Sequence, residues 1–254
     1  MQSRLFLLAL LFSLAATFGA CGDSVTSEPS PEVVATAEAE AREITITAPA
    51  STTPTTDEPE DPLVLEGRVF GSGDVGVILS HMRLDEQTAW YPFAQRLADT
   101  GDYTVMTFDF RGFGESTGDK QFDRIDTDLR AAYDYMRDQL DIDKVFFVGS
   151  SMGGTASLVV GARVPVAGVV SISAPGQFPP IDAEMTVEDI TAPKLFITSE
   201  DDVPQARTQE TFWELAREPK QQHIYEGDAH GTAIFAGPHG KDLERRIIDF
   251  LVSN

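Results

Sequence analysis

Phe146-Phe147-Val148-Gly149-Ser150-Ser151-Met152-Gly153-Gly154 reads as a short buried strand running into Gly-x-Ser-x-Gly, then into a helix of small and apolar residues. A serine on such a sharp strand-to-helix turn carries its hydroxyl above the sheet, open to an acyl carbon. Glycines at 149 and 153 suit the turn sterically, because side chains there would collide with the neighbouring strand and helix. The pentapeptide alone is weak, and its weight comes from the apolar run before it and the helical pattern over residues 152–160. Ser150 is in the wrong register, since the turn exposes its central residue. Ser151 is therefore the candidate nucleophile.

A triad built on this turn runs serine, acid, histidine along the chain. Residues 194–198 read as another buried strand and end in Ser199-Glu200-Asp201-Asp202-Val203-Pro204. Residues 223–226 read as a strand leading into Gly227-Asp228-Ala229-His230-Gly231. Both segments lie just past the C-terminal end of a strand, the edge where open parallel sheets build their sites. His230 is the candidate general base, taking the serine proton and returning it to the leaving group. His223 and His239 lack that context. The acid that would fix the imidazole tautomer is Asp201 or Asp202. Directly after the serine, the Met152 N–H stands at a helix N-terminus, where the dipole favours negative charge, and is a candidate oxyanion donor.

Two upstream segments complete the pattern. Val77-Ile78-Leu79-Ser80-His81-Met82-Arg83 is similar to a strand ending in His-Gly-x, and Phe108-Asp109-Phe110-Arg111-Gly112-Phe113-Gly114-Glu115-Ser116 to an Asp-x-Arg-Gly-x-Gly-x-Ser turn. On these residues, over 63–254, the chain resembles the α/β-hydrolases. It is most similar to the small serine hydrolases near dienelactone hydrolases and bacterial carboxylesterases. Met82 stands where that family has glycine.

The resemblance carries further expectations. Counting three residues from a strand-ending Ser199 makes Asp202 the acid, with Asp201 a solvated or turn-capping residue. Aligning His-Gly-x makes Arg83 the second oxyanion amide, with Met82 the alternative, and gives His81 the task of orienting that loop. Asp109, Arg111 and Glu115 hold their turn in shape. The space between residues 174 and 193 is too short for a cap domain, so an open, shallow site is expected, suited to hydrolysis more than to transfer. The implied activity is cleavage of a small or exposed carboxylic ester. A peptidase or amidase with the same triad is one alternative, and a binding protein on the same fold is another.

Outside these motifs, strands are expected at residues 63–70, 75–80, 103–110, 145–148 and 167–173, and helices at 86–100, 122–140, 205–217 and 242–252. Alternating strands and helices imply an α/β fold, a mostly parallel sheet with helices on both faces. The Gly71-Ser72-Gly73-Asp74 turn reads as a hairpin between the first two strands. No spacing of Cys, His or Asp points to a metal, and no glycine-rich loop reads as phosphate-binding, so no cofactor is expected.

Residues 1–21 hold one charge, Arg4, then an apolar run over 5–20 closed by Gly19-Ala20-Cys21. The run falls short of the ~20 residues needed to span a bilayer and reads as a secretory signal. Cys21, the sole cysteine, sits as in a bacterial lipobox, which implies an exported lipoprotein anchored to the outer face of a bacterial membrane, with a secreted protein as the alternative. Residues 22–62 are rich in Thr, Ser, Pro, Ala and Glu and read as a disordered acidic tether, with a weak alternation over 43–47. The formal charge of the chain is −22, a balance that disfavours nucleic acid and anionic lipid as partners.

Overall fold

The computed structural model describes residues 30–50 and 63–254. Cys21, the signal-like segment and part of the expected tether lie outside them. Eight strands form the central sheet: β1 (Arg42–Ala48), β2 (Leu63–Phe70), β3 (Val75–Ser80), β4 (Tyr103–Phe108), β5 (Lys144–Ser150), β6 (Gly168–Ile172), β9 (Lys194–Ser199) and β10 (Lys220–Tyr225). A separate two-stranded hairpin, β7 (Gln177–Phe178) and β8 (Ile181–Asp182), lies between β6 and β9. The order across the sheet is β1-β2-β4-β3-β5-β6-β9-β10. Only the β1–β2 and β2–β4 pairs in it are antiparallel.

The central strands are apolar on both faces, as a sheet covered on both sides requires. Val77, Leu79, Phe146 and Val148 face one core with α1 (Pro31–Glu40), α2 (Tyr91–Ala98) and α6 (Gly240–Ser253). Their neighbours Ile78, Val145 and Phe147 face the other, with α3 (Ile125–Asp138), α4 (Met152–Gly161) and α5 (Gln205–Leu215). Among the described residues no cap domain covers the sheet; residues 173–193 hold only the short hairpin and one turn of 3₁₀ helix at Val187–Asp189.

Two sequence expectations fail here. The turn at residues 71–74 is no hairpin, because β4 lies between β2 and β3. The chain instead steps across the start of β4, where Val75 N–H donates to Asp102 O at 3.3 Å and Thr104 Oγ1 donates to Gly73 O at 2.7 Å. A side chain at Gly73 would overlap the Asp102–Tyr103 backbone, so the glycines serve a close crossing rather than a tight reversal.

The second correction concerns the tether, because residues 31–48 are folded. In β1, Ile44, Ile46 and Ala48 recur at period two and are buried, with polar residues on the other face. The helix α1 is capped by Ser30 Oγ, which accepts from Val33 N–H at 3.4 Å, and begins with Pro31. Buried Arg68 of β2 holds the segment down, facing Glu38 at 3.6 Å and Glu43 at 3.3 Å. Weak alternation was the only sign of this strand, and the polar composition around it outweighed that sign.

Candidate active site

Ser151 stands between β5 and α4 with φ 49° and ψ −113°, a conformation that side chains rarely adopt and that surrounding bonds must impose. Ser151 N–H donates to Ile172 O of β6 at 2.7 Å, and Thr155 N–H donates to Ser151 O at 3.0 Å. A side chain at Gly149 would overlap the Gly153 carbonyl, and one at Gly153 would overlap the Ser80 carbonyl of β3. Both glycines are thus required by close approach of α4 to the strands beneath it.

Downstream, two loops converge. His230 Nδ1 donates to the Asp202 carboxylate, at 3.0 Å to Oδ1 and 2.9 Å to Oδ2. A carboxylate can only accept, so the neutral ring carries its proton on Nδ1 and leaves Nε2 open as a base. Of the two adjacent carboxylates, Asp202 is the one in this contact. Asp201 is exposed, and its backbone N–H donates to Gly227 O at 2.9 Å. The Asp202 side chain is 8% exposed and that of His230 33%.

The histidine loop is pinned to the serine turn by hydroxyls that sequence reasoning missed. Gly231 N–H donates to Ser173 Oγ, Thr232 N–H donates to Ser150 Oγ, each at 3.0 Å, and Ser199 Oγ donates to Ala229 O at 2.7 Å. Ser150, Ser173 and Ser199 each end an apolar strand run, a signal available in the sequence. Ser150 was the serine in the wrong register for attack; its hydroxyl instead receives the loop carrying His230.

On the other side, His81 is fully buried at the end of β3. Its Nε2 accepts from Phe110 N–H at 3.1 Å, so Nδ1 is the protonated nitrogen and donates to Met82 O at 2.7 Å. Burial pushes its pKa down to about 4, keeping the ring neutral. Asp109 lies 3.9 Å from Nε2, but a nitrogen that is accepting a proton forms no ion pair. The ring's task is structural: it joins the Asp109–Ser116 turn to the 82–83 loop. Gly153 N–H donates to His81 O at 3.2 Å, bringing that loop beside the serine turn.

Met152 is the first residue of α4, and its N–H belongs to the donors that a helix leaves unpaired. Arg83 is exposed, with its guanidinium 6.0 Å over the Phe122 ring. Met82 Sδ packs 3.6 Å from Thr232 Oγ1, so the residue replacing glycine fills space against the histidine loop. The other charges of the upstream turn face away from this chemistry. Arg111 grips buried Asp128 of α3 at 2.6 Å, and Glu115 lies 3.6 Å from Arg68. Asp109 accepts from the backbone and side chain of Gln87, each at 2.8 Å. Among the described residues no cluster of His, Cys, Asp and Glu could hold a metal ion.

Set beside known proteins, residues 71–212 match the family described as alpha/beta hydrolase fold. That span includes Ser151 and Asp202 and stops before His230. Protein YfhR of Escherichia coli (strain K12) is 26% identical over 200 residues, covering 70% of each chain. Among solved structures, the Pyrococcus furiosus esterase Pf2001 superposes with TM-score 0.66 at 19% identity, over 92% of this chain and 99% of that one. The Paleococcus ferrophilus monoacylglycerol lipase superposes with TM-score 0.64 at 19% identity, over 74% and 98%. The chain belongs to the α/β-hydrolase fold family.

Proposed function

We propose that this member of the α/β-hydrolase fold family is a serine hydrolase that cleaves carboxylic esters through an acyl-enzyme. Ser151 attacks the ester carbonyl while His230 Nε2 takes its proton. Asp202 holds the ring in the tautomer that leaves Nε2 free and stabilises the imidazolium that forms. The charge developing on the carbonyl oxygen is met by the Met152 N–H and by an amide of the 82–83 loop, Arg83 or Met82. Collapse expels the alcohol, protonated by His230, and water repeats the sequence to release the acid.

The observation that carries this reading is the Asp202–His230 pair on a loop bonded to the residue before Ser151. The strained backbone of Ser151 agrees with it, since strain of this kind gathers at functional turns. The esterase and lipase named above add the weight of a shared fold.

The decisive trial is turnover of p-nitrophenyl esters of increasing chain length by the full chain and by Ser151→Ala. Turnover in the full chain, with a drop of several orders of magnitude in the variant, is the expected result. Equal rates in both would exclude Ser151.

The same proposal places the protein outside the cell, held to a bacterial membrane by a lipid on Cys21. It rests on residues 1–21 alone. Two or three acyl chains anchor firmly, at roughly 0.8 kcal/mol per buried methylene. Cys21→Ser should move the protein from the detergent phase to the aqueous phase, or leave it unprocessed. Mass spectrometry of the mature N-terminus reads the lipid directly, and an unmodified start elsewhere would end the anchor proposal.

A further inference from the structure

We propose that Thr232 and Asp85 form a positioning pair that locks the candidate oxyanion loop to the loop of the candidate base, an inference that rests on the functional reading above. Thr232 lies two residues after His230 and is buried. Its Oγ1 donates to Asp85 Oδ2 at 3.0 Å, while its N–H donates to Ser150 Oγ at 3.0 Å. Asp85 N–H donates in turn to Met82 O at 3.2 Å, closing the 82–85 loop on itself. Met82 Sδ also lies 3.6 Å from the Thr232 hydroxyl. A hydroxyl has one proton, and a carboxylate is a far stronger acceptor than a thioether. The bond therefore goes to Asp85, and the Met82 contact is packing.

One residue thus joins three parts of the site. Through its backbone Thr232 holds the strand end that precedes Ser151, and through its hydroxyl it holds the loop carrying Met82 and Arg83. The need for such a tie is local. Gly231, between His230 and Thr232, has φ +59°, and a side chain there would overlap Ser150 Oγ. Thr232 is the first residue after the histidine whose side chain can anchor the loop. Asp202 fixes the ring of His230; the Thr232–Asp85 bond fixes the two loops relative to each other. The bonds of the pair involve neither Ser151 nor the His230 ring, so the pair acts by placing those groups. A displacement near 1 Å between such groups costs about 10²-fold in rate.

Steady-state kinetics of the full chain on p-nitrophenyl butyrate, with Thr232→Val, Thr232→Ser and Asp85→Ala, test the pair. Valine keeps the shape and the Met82 contact but removes the bond, and should lower kcat about tenfold with KM within about twofold. Serine restores the hydroxyl and should return kcat to within about threefold of the parent. Asp85→Ala should be at least as slow as Thr232→Val, and adding Thr232→Val to it should slow it no further, because the shared bond is already lost. The pair is overturned by a parental kcat in Thr232→Val, by a serine variant as slow as valine, or by losses that multiply in the double variant. Should Thr232→Val fail to fold, a slow Asp85→Ala beside a fast Thr232→Ser supports the pair, and a fast Asp85→Ala removes it. A fluorophosphonate label separates the two levels. If the parent labels at Ser151 while every variant keeps the parental kcat, only the pair falls. An unlabelled, inactive parent would take the functional reading down with it.

Discussion

The loops after β3 and β10 each carry a histidine at the same edge of the sheet, and they treat it in opposite ways. His81 is sealed from solvent, has both ring nitrogens committed to the backbone, and is held neutral by burial. His230 is partly open, has one nitrogen committed to a carboxylate, and leaves the other free. A residue that must gain and lose a proton within one turnover needs a free nitrogen and a partner for its charged form. One that only shapes a loop is better served by a single fixed protonation state. Proximity to the site is shared by both; the hydrogen-bond partners separate their roles.

The largest expected contrast is between these two rings. His230→Ala should lower kcat for ester turnover by roughly three to six orders of magnitude, the range seen when a triad base is lost. His81→Gln, which can still donate and accept, should leave far more activity. Comparable losses in the two variants would erase the distinction drawn here.

The next contrast lies between neighbouring carboxylates. Asp202→Asn should reduce kcat by about 10⁴-fold, because an amide there favours the wrong tautomer of His230. Asp201→Asn should change it by less than about threefold, since only the Asp201 backbone is engaged. A damaging Asp201→Asn with a mild Asp202→Asn would reassign the acid.

The smallest effect concerns stability. The pKa of His81 is lowered on folding, from 6.5 to about 4. The unfolded chain therefore binds this proton first, and stability falls as pH drops from about 6.5 towards 4. Over that window His81 accounts for a loss of ~3 kcal/mol. Urea unfolding at pH 7 and pH 4.5 should show a smaller difference for His81→Gln than for the parent. An equal difference would mean that His81 is solvated and that the Phe110 and Met82 bonds do not hold it.

The two regions also differ in how far the sequence revealed them. Ser151 and Asp202 each follow an apolar strand run within a few residues, and His230 follows the mostly polar edge strand β10, so the alternation of strands and turns placed all three on one edge. The Phe110 bond that fixes His81 joins residues far apart in sequence, and the Met82 bond is to the very next residue, so neither leaves a local pattern. The Ser150, Ser173 and Ser199 tethers lay between these cases: strand-ending hydroxyls are visible, but their partners are not. The crossing at Gly71–Gly73 was misread because two glycines permit both a tight reversal and a close backbone approach, and only the strand order separates these. The β1 strand was hidden by its composition. Only Ile44, Ile46 and Ala48 of it are buried, and the acids around them give the segment the look of a solvated tether.

One covalent event tests the proposed chemistry most directly. The full chain, treated with a fluorophosphonate at neutral pH and digested, should yield a single modified peptide bearing the phosphonyl group on Ser151. Labelling should persist in His81→Gln and be nearly lost in His230→Ala, because the attacking oxygen needs its base. A modified serine elsewhere, an unmodified but folded parent, or undiminished labelling in His230→Ala would contradict it.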